Sequence, residues 1–399
     1  MNEETRQEQS PPQGRVIGMD IHPKTFAAAA LRGTDALNAK VEWRHDQLPM
    51  TDLEKWFQRH CTPRDVLVME AGGCTFETVK RIGALGGHAV VLESFRAGQI
   101  GKAYLKTDRI DAEKTGRIYL SGLAQEVWAP DEKTRQRREI FYGYERAVTD
   151  SVRAKNRIRG WINEHALRAP RGLRLTKESG CDWVLASRTW TPVQQHLIRT
   201  MFDDLWHARN RRRSLRSLMA QEVATEPDLL KMTRLYGLRH ITVYALAAVI
   251  GDIWRFRTPK QLVAYIGLQP RTHLSGEGGS TGSIAHTGRG DVRALLVQAA
   301  QCILNGNKGA DHPLAKWGWA LTFRKCRSVA IIAVARKLIV ALWYLLRGCF
   351  TPLVEVTAGL RGKLLHLATE IGRPTLRQLG YKSAAAFIAE KEKLLLATV

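Results

Sequence analysis

Apolar runs in the N-terminal part of the chain predict buried strands, and a helix is predicted between the last two of them. Each run is four to eight residues long and ends near glycine, proline or polar residues, as buried strands do. The second run follows the first after a short polar turn, so it is expected to return as the second strand of a hairpin. The helix has apolar positions at helical spacing and a glycine-rich stop. The four runs are RVIGMDI, TFAAAAL, DVLVME and HAVVLES, and the helix is CTFETVKRIGALGG.

The pattern changes after Pro130 to long amphipathic, arginine-rich stretches typical of a coiled coil or a helical hairpin. The fold class predicted is an α/β N-terminal domain, a basic helical middle and a mostly α C-terminal domain. The predicted divisions are a disordered lead-in over 1–14, the α/β domain over 15–130, the basic helical or coiled-coil region over 131–227, the C-terminal domain over 228–350 and a helical extension over 351–399.

The C-terminal half is less charged, and its pattern predicts helices around a glycine-rich loop at 275–290. The apolar stretch at 329–346 carries Arg336 and Lys337 at its centre. Two charges at the midplane of a bilayer are costly, so a core helix is predicted there and a membrane span is not. The tail ends in AAAFIAEKEKLLLATV, which is expected to form a surface or partner-contacting helix.

The charge balance indicates a polyanionic partner. The chain has 61 Lys and Arg against 38 Asp and Glu, a net charge of +23 and a pI near 10.1. Nucleic acid is the partner most often associated with such an excess. A dense basic cluster, HARNRRRSLRSL, includes Arg211, Arg212 and Arg213 and predicts phosphate contact. Six cysteines without CxxC spacing and a polar N-terminus predict a reducing, cytoplasmic location.

Four acids form the candidate chemical site. Asp20 and Glu70 each close a predicted strand, and Asp108 and Asp111 stand three residues apart on a predicted helix face. Carboxylates gathered in this way repel each other unless cations neutralise them, and oxygen-rich sites suit Mg²⁺ or Mn²⁺. Such metal pairs activate phosphodiester chemistry. The neighbouring cations Lys106 and Arg109 are predicted to hold the nucleic-acid backbone.

These acidic segments resemble the motifs of a known family. GMDIHPKTFAAAA, VLVMEAGG and KTDRIDAEKTGRIYLSG are similar to the three acidic motifs of the DEDD transposases of bacterial insertion sequences. The resemblance implies a RuvC-like, ribonuclease-H-type N-terminal domain whose acids Asp20, Glu70, Asp108 and Asp111 bind divalent metal. It also implies an element-encoded bridge (or seeker) RNA that guides the enzyme on donor and target DNA. A homo-oligomer, a dimer or tetramer, is implied as well, in which the acids of one chain meet the serine of another, and nucleoid association follows from the DNA substrate.

A second motif lies in the C-terminal half. GLQP, a Ser-Gly pair, GSI, a glycine and an Arg-x-x-Leu resemble the transposase domain of the same family. The resemblance implies that 228–350 is the serine transposase domain and that Ser275 is a nucleophile forming a phosphoserine link to DNA. Glycines around a serine allow close approach of backbone to phosphate. Ser280 and Ser283 are rival nucleophiles, and Arg293 is a candidate to steady the phosphate.

Two other functions stay open on the residues alone. One is a RuvC-like junction endonuclease in which metal-activated water attacks DNA, and the other is a non-catalytic, basic RNA-binding scaffold. The segment LYGLRHIT resembles a helix-hairpin-helix turn in which Arg239 stands at a usual glycine position. Arg239 is therefore a candidate nucleic-acid contact. The leading prediction remains an RNA-guided DNA transposase or recombinase.

Overall fold

The computed structural model of the protein divides the chain into two compact units, Met1–Pro130 and Asp131–Val399. The structure describes residues 14–94, 111–275, 278–285, 287–305, 311–349 and 359–397, and for 272–281 it describes the backbone only.

The first unit contains a six-stranded mixed sheet in the order β3-β2-β1-β4-β5-β6. β1 pairs antiparallel with β2, as predicted for the hairpin, and parallel with β4, which is parallel to β5. The four predicted strands are thereby confirmed. The strands are β1 Val16–Ile21, β2 Thr25–Arg32, β3 Lys40–Pro49, β4 Val66–Glu70, β5 His88–Leu92 and β6 Glu126–Val127.

Helices cover this sheet. α1 (Leu53–His60) and the predicted helix α2 (Thr75–Ala84) are packed into a core whose centre is Ile17, Phe26 and Leu67. A further helix, α3 (Asp111–Leu120), contributes Ile118 to a second apolar cluster. Sheet and helices together form the mixed α/β domain that the pattern predicted.

The second unit is mostly helical, with one two-stranded sheet. Its helices are α4 Glu132–Glu164, α5 Glu178–Ala186, α6 Pro192–Thr225, α7 Pro227–Met232, α8 His240–Ile250, α9 Pro259–Ile266, α10 Gly290–Asn305, α11 Pro313–Arg324, α12 Arg327–Leu346, α13 Leu360–Ile371, α14 Arg373–Gln378 and α15 Ala384–Ala397. The strands are β7 Pro270–Ser275 and β8 Gly278–Ile284.

The long helices α4 and α6 pack against each other along their length, which confirms the long amphipathic helices expected in the basic region. Asp131 begins α4 by accepting a hydrogen bond from the Thr134 amide, at 2.6 Å. Thr191 begins α6 with a capping box completed by Gln194. Such caps satisfy amide groups that the first turn of a helix leaves without partners.

The apolar stretch predicted as a core helix is α12. By length and composition it could cross a membrane, but half of its apolar window is buried inside the protein. Leu338 and Leu342 pack in the main core of the second unit together with Tyr244 of α8. The burial of α12 agrees with the predicted core helix.

The C-terminal tail forms a helix, α15, that is mostly exposed, as expected for a surface helix, while three of its apolar residues are buried. Phe387 of α15 is fully buried, and Ile388 and Leu395 join it in the same core cluster as Leu364 of α13. Each buried side chain of this size contributes roughly 1.5–3 kcal/mol by leaving water. The last helix thus lies at the surface with one apolar stripe packed into the core of the second unit.

Candidate active site

Asp20 and Glu70 stand side by side at one edge of the first unit's sheet. The parallel register of β1 and β4 runs to the pair Met19 and Met69, and the two acids are the next residues along each strand. Because parallel strands end at the same edge, the acids share the carboxyl edge, where open α/β sheets place their ligands. The sequence prediction of adjacent strand-end acids is confirmed for this pair.

The start of α3 lies at this edge because two glycines permit close packing. A Cβ on Gly18 of β1 would lie 1.9 Å from the carbonyl oxygen of Ala112 and 2.6 Å from the amide nitrogen of Gly116. No side chain can occupy that space, so the helix backbone rests directly on the strand. Asp111, the first residue of α3, precedes Ala112 and is carried toward the acids by this packing.

The pKa of Glu70 is shifted mainly by burial, with smaller contributions from the neighbouring charges. Burial raises the pKa of the half-buried Glu70 carboxyl, Lys114 opposes the rise, and the charges of Asp111 and Asp20 increase it. A nearby acid disfavours a second negative charge, which is how like charges raise a carboxyl pKa. His22 adds a potential counter-charge, with its Nε2 atom 3.3 Å from Oδ2 of Asp20.

The chemistry of the donors fits a hard divalent cation. Asp20, Glu70 and Asp111 offer carboxylate oxygens, which Mg²⁺ and Mn²⁺ prefer. Within the described ranges, however, no three His, Cys, Asp or Glu side chains are gathered closely enough to hold an ion. The described acids therefore converge without forming a closed coordination shell. Three predicted site residues, Lys106, Asp108 and Arg109, lie outside the described residues.

A further acid in the same motif, Glu113, serves the fold. It is 9% exposed and accepts hydrogen bonds from Arg44 and from Arg117, whose Nε lies 2.8 Å from Oε1. Burial alone would raise the pKa of Glu113, but the hydrogen bonds from the two arginines bring it below its usual value. Sequence analysis did not single this residue out, although its spacing of four from Arg117 is a helix ion-pair signal.

The predicted glycine-rich loop is in fact a hairpin for much of its length. β7 and β8 pair antiparallel, with Ser275 opposite Gly278 and His273 opposite Ser280. Ser275 is the last residue of β7, and residues 276–277 lie outside the described part. The apolar pattern could not predict this pairing because backbone hydrogen bonds form it. The rival Ser283 lies within β8 and is exposed.

The base of the hairpin is closed by two residues of the second motif. Gly267 has φ +79°, and a Cβ there would lie 2.0 Å from the carbonyl oxygen of Thr287. Nη1 of Arg293 donates to the same oxygen at 3.0 Å, and the Ala285 amide donates to Gln269 at 2.8 Å. These contacts brace the two ends of the hairpin. The phosphate role of Arg293 stays a prediction, since its described contacts are with the backbone.

A second set of contacts that holds the hairpin in place, made by Arg289, was not predicted from the sequence. The half-buried Arg289 donates through Nη2 to Asp291 and to the Tyr142 hydroxyl of α4, each at 2.6 Å. Burial lowers the pKa of Arg289, but the hydrogen bond to Asp291 and the nearby charges raise it overall. The pair links the exit of the hairpin to α4. An arginine two residues before an acid at a helix start was the available signal.

The predicted basic surface carries both ion-paired and crowded arginines. Nη2 of Arg211 lies 3.2 Å from Oδ2 of Asp150 on α4. Burial lowers the pKa of the neighbouring Arg209, and repulsion from Arg212 and Arg213 lowers it further. Such mutual repulsion marks a concentration of positive charge that a polyanion would relieve. The other predicted contact, Arg239, is exposed at the N-terminus of α8.

Comparisons with known proteins find similarity to transposases. Residues 231–312, which include the serine hairpin, match the family model described as Transposase IS116/IS110/IS902 family. The chain is 27% identical over 346 residues to a probable family 20 transposase of Pseudomonas aeruginosa, covering 84% of this chain and 98% of that protein.

Two further relatives carry the names of insertion sequences. The transposase for insertion sequence element IS1111A of Coxiella burnetii is 25% identical over 60% of this chain and 66% of its own length. The transposase for insertion sequence element IS1328 of Yersinia enterocolitica is 22% identical over 83% of this chain and 96% of its own length. The chain is thus similar to the IS116/IS110/IS902 transposase family over residues 231–312, and over much of its length it is similar to proteins named as transposases, two of them of insertion sequences.

Proposed function

We propose that this chain is an RNA-guided DNA transposase that cleaves and rejoins strands with a divalent-metal site and the nucleophile Ser275. The observation that carries the proposal is the adjacency of Asp20 and Glu70 at one sheet edge, with Asp111 near enough for its charge to act on the Glu70 carboxyl. Its relatives are insertion-sequence transposases, and transposition requires phosphodiester bonds to be broken and remade.

The metal part of the proposal rests on donor chemistry. Asp20, Glu70 and Asp111, with Asp108 as the fourth predicted ligand, would hold Mg²⁺ or Mn²⁺. A bound cation of this kind supplies Lewis-acid polarisation of a phosphoryl oxygen and lowers the pKa of a bound hydroxyl. Without it, the acids would repel both each other and the DNA phosphate.

The proposed role of Ser275 is to conserve the energy of the broken phosphodiester bond in a covalent ester. The Ser275 hydroxyl loses its proton and forms a bond to phosphorus, while the bond from phosphorus to the leaving strand's oxygen breaks and that oxygen takes up a proton. The resulting ester conserves the phosphodiester for rejoining, and no GxxxxGK[ST] loop is present in the sequence to supply ATP energy. The position of Ser275 at the end of β7 supports this role.

The proposed guide RNA would be a binding partner for the positively charged surface. The proposed RNA and the DNA both present phosphates, and arginines such as Arg212 and Arg213 on α6 suit sequence-independent backbone contacts. The target sequence would then be selected by base pairing with the RNA. Sequencing of RNA that co-purifies with the chain from cells carrying its flanking DNA tests this directly.

Substitutions at the acid edge test the catalytic proposal. Asp20→Ala and Asp111→Ala are expected to abolish cleavage of target DNA with Mg²⁺ while nucleic-acid binding persists, because the basic surfaces are unchanged. Asp46→Ala removes an exposed acid of β3 and serves as the control, which should cleave normally. Full cleavage by either edge variant would exclude the metal role.

A further inference from the structure

The second unit contains a groove that the transposase chemistry does not use. Its volume is about 550 Å³, within the roughly 300–1,000 Å³ of small-ligand sites. α4, α8, α10, the start of α13 and the turn before α8 supply its walls, and the aromatic residues among the described lining are Tyr144 and Tyr236. A groove of this size and lining can enclose a planar ring.

One end of the groove is positively charged. Arg239 supplies this charge, the buried amine of Lys363 lies beside it, and none of the described residues that line the groove is acidic. The charges of Arg212 and Arg216 lower the pKa of the Tyr144 hydroxyl, and the charges of Glu370 and Glu145 raise it. One of these acids, Glu370, is already paired with Arg216. The two arginines and two acids balance one another, so it is the exposed Arg239 that favours an anion at this end of the groove.

The cationic end is built by the fold. Nζ of Lys363 is buried and donates to the carbonyl oxygens of Thr233 and Leu235, each at 2.7 Å. These bonds fix the turn that ends at Arg239. On the other side, Tyr236 stacks on His312 with ring centroids 3.9 Å apart. Both the charge and the aromatic wall are thus held in place before any ligand arrives.

We propose that this groove binds one unpaired nucleotide of a nucleic-acid strand, with the base against the apolar and tyrosine walls and the phosphate at Arg239. A base has a π-face that stacks on aromatic side chains, and such stacking contributes roughly 1–3 kcal/mol per base. Gln298, exposed on α10, offers an amide to the base edge. This inference rests on the proposed function only in taking nucleic acid as the partner. Unpaired RNA and unpaired DNA share the chemistry.

A matched pair of charge substitutions on α10 tests the site. Gln298→Glu places a negative charge in the groove, and Gln301→Glu places the same charge on an exposed residue of the same helix that does not line the groove. The full-length chain is titrated with labelled oligo-dT, oligo-U of equal length and a blunt DNA duplex. Circular dichroism confirms that both variants are folded.

We expect Gln298→Glu to weaken single-strand binding about tenfold, because it repels the phosphate and disturbs stacking. Gln301→Glu should change it by less than about twofold, as a screened surface charge does. Duplex binding should respond equally to the two variants. A larger loss for oligo-U identifies RNA as the source, and a larger loss for oligo-dT identifies DNA. Equal effects of the two variants on single strands would overturn the proposal.

Cys302 provides a second readout because it is exposed and lines the groove. Oligo-dT or oligo-U is expected to slow maleimide alkylation of Cys302 at least several-fold, while the exposed Cys326 and Cys349 react unchanged. Unprotected Cys302 in a chain saturated with single strand would contradict the proposal. Neither assay needs strand cleavage. A chain that binds strands without protecting Cys302 therefore fails this inference alone, whereas one that binds no nucleic acid fails the proposed function.

Discussion

Gly18 of β1 and Gly116 of α3 meet backbone to backbone, with the Gly18 amide nitrogen 3.3 Å from the position a Cβ on Gly116 would take. This packing sets the height of α3 over the sheet and therefore the distance of Asp111 from the strand-end acids. The catalytic proposal depends on a pair of residues that carry no chemistry. Their role is to leave space.

Gly18→Ala is expected to destabilise the first unit. The added methyl would lie 1.9 Å from the Ala112 carbonyl oxygen, and backbone cannot move aside as a flexible side chain can. Overpacking of this kind costs typically about 1–3 kcal/mol or more. Thermal unfolding measures the effect. Gly73→Ala, where nothing lies within 4 Å of the new Cβ, is the control and should melt like the wild type.

The base of the serine hairpin gives a second packing prediction. Gly267→Ala places a Cβ 2.0 Å from the Thr287 carbonyl oxygen at a residue with positive φ, so the two ends of the hairpin should separate. Hydrogen exchange at the amides of Ala285 and Arg289, which bond across this base, should accelerate. Gly282→Ala is the control, because its nearest neighbouring atom is 3.8 Å away. Unchanged exchange in Gly267→Ala would refute the bracing role.

Lys363 predicts a pH dependence of stability. Burial, aided by the charge of Arg239, lowers the pKa of Lys363 to about 7 from its usual value of 10.5. Between these values the unfolded chain binds more protons at this residue than the folded chain, so its contribution to stability rises with pH. Below about 7 the full cost of burying the charge is present.

Comparison with Lys363→Met isolates this contribution. The free energy of unfolding of the wild type, minus that of the variant, should increase as the pH rises from about 7 to about 10, measured by denaturant titration. His240 and His366 share the small cavity beside Lys363. Burial lowers the pKa of His240 to about 3, so that residue does not titrate in this range. Lys325→Met, at an exposed residue, should show no such trend, and a flat difference for Lys363→Met would contradict the prediction.

The basic surface predicts a graded salt dependence. Arg212→Gln and Arg213→Gln together should flatten the slope of log K against log salt by about 0.9 for each phosphate that the double variant no longer neutralises. Arg211→Gln should change the slope less, because Asp150 already lies beside that guanidinium. Fluorescence anisotropy with duplex DNA over a series of salt concentrations measures both. Equal slopes in the wild type and the double variant would place the binding surface elsewhere.

A comparison of the predicted and observed strands shows which strands the apolar pattern can predict. Continuous buried runs such as VLVME and VIGMDI predict their strands, because burial on both faces requires apolar residues throughout. The edge strand Lys40–Pro49 has mostly exposed polar residues, and the apolar pattern does not reveal it. Pairing with β2 stabilises it through backbone bonds, which leave little trace in the sequence.

The candidate site is predictable in part for the same reason. Strand ends indicate Asp20 and Glu70, since parallel strands meet at one edge. The approach of α3 depends on Gly18, whose significance appears only when the helix is placed above it. The charged residues of helix α15 suggest a surface position and obscure Phe387, which tertiary packing buries.

Covalent capture of DNA at Ser275 is the most direct test of the proposed transposase function. Purified chain is mixed with labelled target DNA, its co-purified RNA and Mg²⁺, and the products are resolved on denaturing gels. We expect a slow-migrating protein–DNA adduct that peptide mapping assigns to Ser275, that Ser275→Ala loses and that Ser283→Ala keeps. Strand joining by Ser275→Ala, an adduct on Ser280 or Ser283, or cleavage by water without any adduct would contradict it.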